Sequence, residues 1–241
     1  MLTPRELALP NGHVAVFHDN TCHGEDTYVI REFGPSSALD VVLDGATGSG
    51  GKFASQHVAE LLQSAPIGTL DDLVGVLETT NQALHRRGRG SFFLTTVSLA
   101  LKLGEALHVV TVGDSPVFLL RDGEMMSLTT ATTGALPLGM NAMLGQQERL
   151  RYKTRQLTLR QRDWLIIASD GLTQNVAPSE LVPLLHGITA PEEAVAALGA
   201  LLDEKKRSNK GRVDDYTSFL PDDTTVVLRY IDPHVAPRSP T

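Results

Sequence analysis

The sequence predicts an α+β layered sandwich built from one domain over residues 1–232. Two observations support this: strand-like runs occupy most of the chain, and helical periodicity occurs in two separate pairs of segments. Paired strands with helix pairs at the flanks bury their apolar faces most completely as stacked layers. A chain of 241 residues with 41% hydrophobic content can form the core that such a fold needs.

Strands are predicted where β-branched and aromatic residues cluster between turn residues. In chain order these segments are residues 13–18, 27–33, 38–43, 92–103, 106–112, 116–121, 155–159, 164–169 and 224–231. Gly104 and the pair Asp122-Gly123 are typical hairpin turns between the strands of the middle third. Residues 129–145, rich in Thr, Gly, Met and Ala, are predicted to be a loop.

Four helices are predicted from apolar spacing and from their start signals. The first follows a Gly-rich turn at residues 48–51, and the second begins after Thr69, a plausible N-cap, and stops at Gly88. The other two, residues 178–185 and 191–206, each begin with proline.

Composition and charge exclude several classes of function. The formal net charge of −7 gives no electrostatic reason to expect nucleic acid or an anionic membrane as a partner. Cys22 is the single cysteine, so an intramolecular disulfide and a Cys-rich metal site are both excluded. No apolar run approaches ~20 residues and no signal pattern opens the chain, so we expect a cytoplasmic location. Residues 233–241 are predicted to be a flexible tail.

Carboxylates stand where three apolar, β-like runs begin or end. Asp44 and Asp170 each follow such a run, and the pair Asp222-Asp223 precedes one. Side chains at strand ends can converge on one rim of a sheet, where like charges repel by roughly 4 kcal/mol per pair at 4 Å and an effective dielectric near 20. Hard divalent cations relieve that repulsion and prefer oxygen ligands. The pattern therefore predicts a carboxylate-built metal site.

Five short motifs also occur in an order that resembles the metal-dependent protein phosphatase 2C (PPM) family. They are residues 20–26, 44–45, 112–115, 168–172 and 222–227. The resemblance extends over residues 12–231, which is nearly the whole chain. It implies a four-layer αββα sandwich, in which two central antiparallel sheets are flanked by helix pairs.

The resemblance also implies a centre of two Mn²⁺ or Mg²⁺ ions, with a third ion in bacterial members. Asp44 would bridge the two metals, with the Gly45 carbonyl, Asp170 and Asp222 completing the ligand set. The remaining implied metal-site residues are Glu25, Asp26 and Asp114. The implied reaction is hydrolysis of phosphoserine or phosphothreonine in proteins by a metal-activated water, opposed to a Ser/Thr kinase. A monomer is the default expectation.

The chain departs from the family pattern at several positions. Thr21 stands where active members usually carry an arginine that binds substrate phosphate, and His23 and Arg31 are the candidate substitutes. Ala46 replaces a general-acid candidate of eukaryotic members, and residues 129–163 are shorter than the usual flap-bearing segment. Asp223 occupies a position that is usually Asn, so Asp222 is the preferred ligand of the two.

Two further interpretations follow from these departures. One is a catalytically weak or inactive pseudophosphatase that binds phosphoprotein, and the other is a phosphatase of small molecules. Several aspartates have no motif match, and turn or helix-cap roles are predicted for them. These are Asp40, Asp71, Asp72, Asp122 and Asp163.

Overall fold

The computed structural model describes residues 11–129 and 142–232. The strands are β1 (His13–Asp19), β2 (Thr27–Gly34), β3 (Ser37–Leu43), β4 (Val97–Leu103), β5 (Ala106–Val112), β6 (Val117–Arg121), β7 (Glu124–Ser127), β8 (Lys153–Thr158), β9 (Trp164–Ala168) and β10 (Thr224–Tyr230). The helices are α1 (Gly51–Ser64), α2 (Leu70–Gly88), α3 (Asp170–Thr173), α4 (Pro178–Leu185) and α5 (Pro191–Ser208).

The strands form two five-stranded antiparallel sheets, which confirms the predicted sandwich. One sheet has the order β1-β10-β9-β6-β7 and the other has the order β2-β3-β4-β5-β8. Alternate residues of each strand face opposite sides, so each sheet contributes to two apolar layers. One layer lies between the second sheet and α1 and α2, one lies between the sheets, and one lies between the first sheet and α4 and α5.

Most predicted elements are confirmed, and the differences have local causes. The predicted strand at residues 92–103 begins only at Val97, because Phe93 has a φ of 59° and its amide donates to the Ser49 carbonyl in a turn. Strand β7 and helix α3 were not predicted, since each has four residues and so lacks a readable period. Residues 130–141 of the predicted loop and the predicted tail at 233–241 lie outside the described residues. The single-domain boundary at residue 232 stays a prediction.

The start of α2 follows the sequence signal closely. The Thr69 hydroxyl accepts from the Asp72 amide at 3.1 Å, and the Asp72 carboxylate accepts from the Thr69 amide at 2.9 Å. This capping box satisfies two of the orphan donors at the helix start, as predicted.

Across residues 11–129 and 142–232, no helix combines the length and apolar character of a membrane span.

Asp40 has a role that differs from the predicted turn or cap. It lies in β3 with 2% of its surface exposed, and Arg229 of β10 lies against it with 1% exposed. The guanidinium donates from Nε at 2.6 Å and from Nη2 at 2.7 Å to the two carboxylate oxygens. Arg229 also donates to the Asn11 carbonyl at 2.9 Å. This bidentate ion pair joins the two sheets across the layer between them.

We predict that Asp40→Asn destabilises the protein by about 3–5 kcal/mol, because the buried Arg229 charge loses its bidentate partner and keeps only the longer contact to the half-exposed Glu32 carboxylate at 3.5 Å. Urea unfolding at pH 7 measures this change. The matched control is Glu204→Gln, which breaks the exposed Arg207–Glu204 pair at 3.0 Å and should cost less than about 1 kcal/mol. Equal losses in the two variants would refute the role of the buried pair.

Candidate metal centre

The strand ends that carry the predicted ligands meet at one end of the sandwich. Thr27 pairs with Leu43 in the second sheet, so Asp26 and Asp44 emerge side by side. In the first sheet Val226 pairs with Ala168, which brings Asp170 close to the residues that precede β10. Antiparallel pairing thus collects the acids of each sheet, and stacking of the two sheets brings both sets together.

Asp44 lies at the centre of these acids. Burial, followed by the charges of Asp26, Asp170 and Asp222, raises the pKa of Asp44 to about 10. The carboxyl groups of Asp44 and Asp170 are in hydrogen-bonding contact. Four carboxyl groups from opposite sheets therefore form one interacting cluster, which we call the acidic cluster: Asp26, Asp44, Asp170 and Asp222.

Asp26 and Asp170 lie in a similar environment. Burial raises the pKa of Asp26 to about 6 against the opposing effect of hydrogen bonds from Thr225 and Ser169. Burial and the Asp222 charge raise the pKa of Asp170, which accepts a hydrogen bond from Gln174 Nε2 at 2.7 Å. These shifts have the direction expected for like charges held together in a partly desolvated site.

Two buried carboxylate oxygens lack a hydrogen-bond partner in the described part of the chain. They are Oδ2 of Asp26 and Oε2 of Glu25, neighbours at the start of β2. A buried acceptor without a donor costs about 1–3 kcal/mol, more when it is charged, so native proteins rarely retain one without a function. The orphaned oxygens and the all-oxygen donor set fit a hard divalent cation.

The acids are neighbours without yet forming a coordination shell. Within residues 11–129 and 142–232, no three Asp, Glu, His or Cys side chains surround a common point in the manner of metal ligands. The cluster supplies the charge and the donor atoms, while the final geometry depends on the ion.

Asp223 is engaged differently from its neighbour Asp222. Its Oδ1 accepts from the amides of Cys22 and His23, both at 2.9 Å, and its Oδ2 accepts from the Glu25 amide at 2.9 Å. Burial opposes ionisation of this carboxyl, but the backbone donors prevail and the pKa of Asp223 is lowered. Asp223 therefore holds the loop of residues 20–26 in place. This supports the preference for Asp222 as the ligand.

Two glycines are required by close backbone approach at the cluster. A Cβ on Gly171 would overlap the Asp223 carbonyl oxygen, so α3 could not pack against the start of β10. A Cβ on Gly45 would overlap the backbone of Gly51 and the Glu25 carbonyl. These contacts explain why Asp44 and Asp170 are each followed by glycine.

The other predicted residues are distributed unevenly around the cluster. Asp114 is exposed, and its charge adds to the effects of burial and of Asp222 in raising the pKa of Asp170. His23 Nδ1 contacts Asp222 Oδ1 at 3.3 Å, whereas the Thr21 hydroxyl donates to Asp19 Oδ1 at 2.6 Å. Arg31, a candidate substitute for the missing arginine, lies elsewhere.

The position of Arg31 has a clear physical reason. Its Nη1 donates to the carbonyls of Leu62 at 2.9 Å and Ala65 at 2.6 Å, and its guanidinium lies over the Phe33 ring. The side chain thus caps the C-terminal end of α1, where a cation complements the helix dipole. We therefore do not place Arg31 at the acidic cluster.

Three contributing residues were not found from the sequence. Gln174 orients Asp170, Ser55 of α1 donates to the Glu25 carbonyl at 2.6 Å, and the Thr96 amide donates to the Asp44 carbonyl at 2.8 Å. Gln174 follows Asp170 by four residues, the spacing of one helical turn. That signal would have been readable had α3 been predicted.

Comparison with known proteins gives a consistent result. Residues 48–228, about three quarters of the chain, match the family model described as Stage II sporulation protein E (SpoIIE). The protein phosphatase PTC7 homolog fig of Drosophila grimshawi is 31% identical over an alignment of length 154 that covers 52% of this chain and 50% of that protein. The match thus spans about half the length of that curated relative.

Solved structures show the same fold. The serine/threonine phosphatase Stp1 from Staphylococcus aureus has a TM-score of 0.74 at 20% identity, covering 96% of this chain and 100% of that one. The catalytic domain of serine threonine protein phosphatase PstP, solved in complex with two manganese ions, has a TM-score of 0.70 at 23% identity, covering 91% and 98%. The αββα fold implied by the motif order is therefore confirmed.

Removing the Asp44 carboxyl should stabilise the protein when no divalent metal is present. With a folded pKa of about 10 for Asp44, against ~4 for an unfolded aspartate, the folded state binds more protons and stability falls as the pH rises above 4. Asp44→Asn removes that loss. We expect its free energy of unfolding in EDTA at pH 7 to exceed that of the wild type by about 2–4 kcal/mol.

In saturating Mn²⁺ the wild type should become more stable than Asp44→Asn, because an ion that binds only the folded wild type stabilises it by mass action. Denaturant unfolding in EDTA and in Mn²⁺ measures both states. Asp122→Asn, an equal change at an exposed turn, serves as the control. Destabilisation by Asp44→Asn in EDTA would contradict the raised pKa that burial and the neighbouring carboxylates give Asp44.

Proposed function

Because the chain belongs to the SpoIIE family and has the fold of the PPM/PP2C protein phosphatases, we propose that it hydrolyses phosphoserine and phosphothreonine in proteins with the help of divalent metal ions. The observation that carries the proposal is the acidic cluster. Its members come from both sheets, and burial together with the charges of neighbouring carboxylates raises the pKa values of Asp44 and Asp170. A group of like charges without a function would be selected against as a stability cost.

The donor atoms suggest which residues would hold the ions. Asp44 would be shared between them, because it interacts with carboxyl groups on both sides. Asp170, Asp222 and the Gly45 carbonyl are proposed as further ligands, and the orphaned oxygens of Glu25 and Asp26 would face the ions directly or through water. A pair of Mn²⁺ or Mg²⁺ ions would supply an activated water and neutralise charge on the phosphoryl oxygens. A third ion beside Asp114 and Asp170 belongs to the same proposal.

The chain's own groups prepare this site. Asp223 fixes the loop of residues 20–26 through three backbone hydrogen bonds, so Glu25 and Asp26 keep their positions. Gln174 holds one oxygen of Asp170 and leaves the other for an ion. The proposed reaction requires no cysteine or serine nucleophile. Cys22 is exposed, and desolvation, followed by the Asp222 charge, raises its pKa, which disfavours the reactive thiolate.

The protein substrate is proposed from the fold and from the names of the relatives, which are protein phosphatases. The partner would be a phosphorylated protein, and the opposing enzyme would be a Ser/Thr kinase.

A second function, a phosphoprotein-binding pseudophosphatase, is favoured by two positions. Thr21 stands where active members usually carry an arginine for substrate phosphate, and Ala46 stands where eukaryotic members have a general-acid candidate for the leaving group. Losing a charge-assisted phosphate contact should weaken substrate binding by roughly 1.5–3 kcal/mol.

The first prediction of this proposal concerns turnover. Purified protein should hydrolyse p-nitrophenyl phosphate and a phosphothreonine peptide with Mn²⁺ or Mg²⁺, and EDTA should abolish both activities. Asp170→Asn should lower kcat/KM by more than about 100-fold, since it removes a ligand and the charge that attracts the ion. Asp122→Asn is the matched control and should keep wild-type rates.

The pseudophosphatase alternative gives a different result in the same assays. Calorimetry would then detect Mn²⁺ binding by the folded wild type without any turnover at high protein concentration. Phosphopeptide turnover that greatly exceeds turnover of small phosphorylated metabolites would support the protein substrate. The opposite ratio would transfer the proposal to a small-molecule phosphatase.

A second prediction separates the adjacent aspartates. Asp222→Asn should weaken Mn²⁺ binding at least about tenfold, because it removes a proposed ligand. Asp223→Asn should change Mn²⁺ affinity far less and instead cost about 1–3 kcal/mol of stability, since an amide nitrogen would face the Glu25 donor. Calorimetric titration and urea unfolding of both variants measure these effects. Equal loss of metal affinity would refute the division of roles.

A further inference from the structure

A cavity of about 160 Å³ opens directly beside the acidic cluster. It shares Asp222 with the cluster, and Thr21 and Cys22 of the loop of residues 20–26 form its wall. At ~30 Å³ per water, the space corresponds to about five water molecules or to one long side chain. Because a proposed metal ligand lines it, the cavity is within reach of a peptide bound at the cluster.

Part of the cavity lining is apolar. Its apolar residues are Phe17 of β1, Leu202 of α5, and Phe219 and Pro221, which precede Asp222. Phe17 and Leu202 belong to the apolar layer between the first sheet and the helices, so this part of the lining is anchored in the core. Such a surface favours the methylene stem of a side chain over a fully hydrated group.

The polar lining of the cavity is predominantly acidic. Three carboxylates, Asp19, Asp203 and Asp222, face one cation, Lys206. Asp19 already accepts the Thr21 amide and hydroxyl at its Oδ1, whereas Asp203 is exposed on the last part of α5. A phosphoryl group would be repelled by this lining, and a cationic head group would be attracted.

From this geometry we propose that the cavity receives a basic side chain, arginine or lysine, near the phosphorylated residue of the protein substrate. The inference rests on the proposed function, because it assigns a specificity pocket to the same site. The apolar lining residues take the stem of the basic residue, and Asp203 and Asp19 take its charge. Thr21 contributes by being small, since a long side chain at this position would compete for the space.

The test is a set of phosphothreonine peptides that differ at one position, with arginine, methionine or glutamate placed in turn at each of the three residues on either side. We expect one position at which arginine gives a kcat/KM about tenfold above glutamate and about fivefold above methionine. Equal rates for methionine and arginine at every position would overturn the proposal in favour of an apolar occupant.

Charge variants locate the effect at the cavity. Asp203→Lys should reduce the arginine-to-glutamate ratio at that position about fivefold, and Lys206→Met should increase the ratio. Glu204→Lys makes the same charge change on the adjacent residue of α5, which does not line the cavity, and should leave the ratio unchanged. An equal response to Asp203→Lys and Glu204→Lys would show a general charge effect and refute the pocket.

Binding of fluorescein-labelled phosphopeptides, followed by anisotropy in Mn²⁺, separates this inference from the proposed hydrolysis. Preference for the arginine peptide that is lost in Asp203→Lys, without turnover by the wild type, would support the pocket and refute hydrolysis. Turnover without any preference between arginine and glutamate peptides would support hydrolysis and refute the pocket. Absence of both binding and turnover would refute both.

Discussion

The bidentate contact between Arg229 and Asp40 aligns the two sheets on which the acidic cluster depends. Arg229 lies in β10, the strand that begins just after Asp222 and Asp223, and Asp40 lies in β3, the strand that ends just before Asp44. The pair is almost fully buried, so its geometry is not relaxed by solvent. A shift of one sheet along the other would break this contact and would also separate Asp44 from Asp170 and Asp222. The same interaction that orders the layer between the sheets therefore sets the distances at the candidate site.

The acidic cluster destabilises a fold whose other local features favour the same structure. Strand pattern, hairpin turns and helix caps agree with the structure over most of the described chain, whereas the cluster holds like charges in a partly desolvated place. Asp223 shows how such a charge is normally accommodated, with three backbone amides around its carboxylate. Asp44 contrasts with it, because burial and the charges of Asp26 and Asp170 raise the pKa of the Asp44 carboxyl. Sites that break local rules in an otherwise consistent fold are the usual places for function.

The sequence allowed the strands, most helix boundaries and the main acids to be predicted, because these depend on local patterns. Helix α4 was predicted with its observed bounds, and Asp44 and Asp170 were recognisable because each closes an apolar strand. Long-range partners could not be predicted in this way. Asp40 and Arg229 are 189 residues apart, and nothing in either local segment indicates that they pair. The anchoring role of Asp223 and the cavity beside Asp222 depend likewise on loops that meet only after folding.

The most direct test of the central claim is a crystal structure of the protein soaked in Mn²⁺, with anomalous diffraction data collected at the manganese edge. The account predicts anomalous peaks within coordination distance of the Asp44 carboxylate, with Asp170 and Asp222 among the neighbouring ligands. Coordination by Asp222 and not by Asp223 would agree with the hydrogen bonds that already occupy Asp223. Absence of any peak at the acidic cluster in crystals saturated with Mn²⁺ would contradict the assignment of a metal centre to these residues.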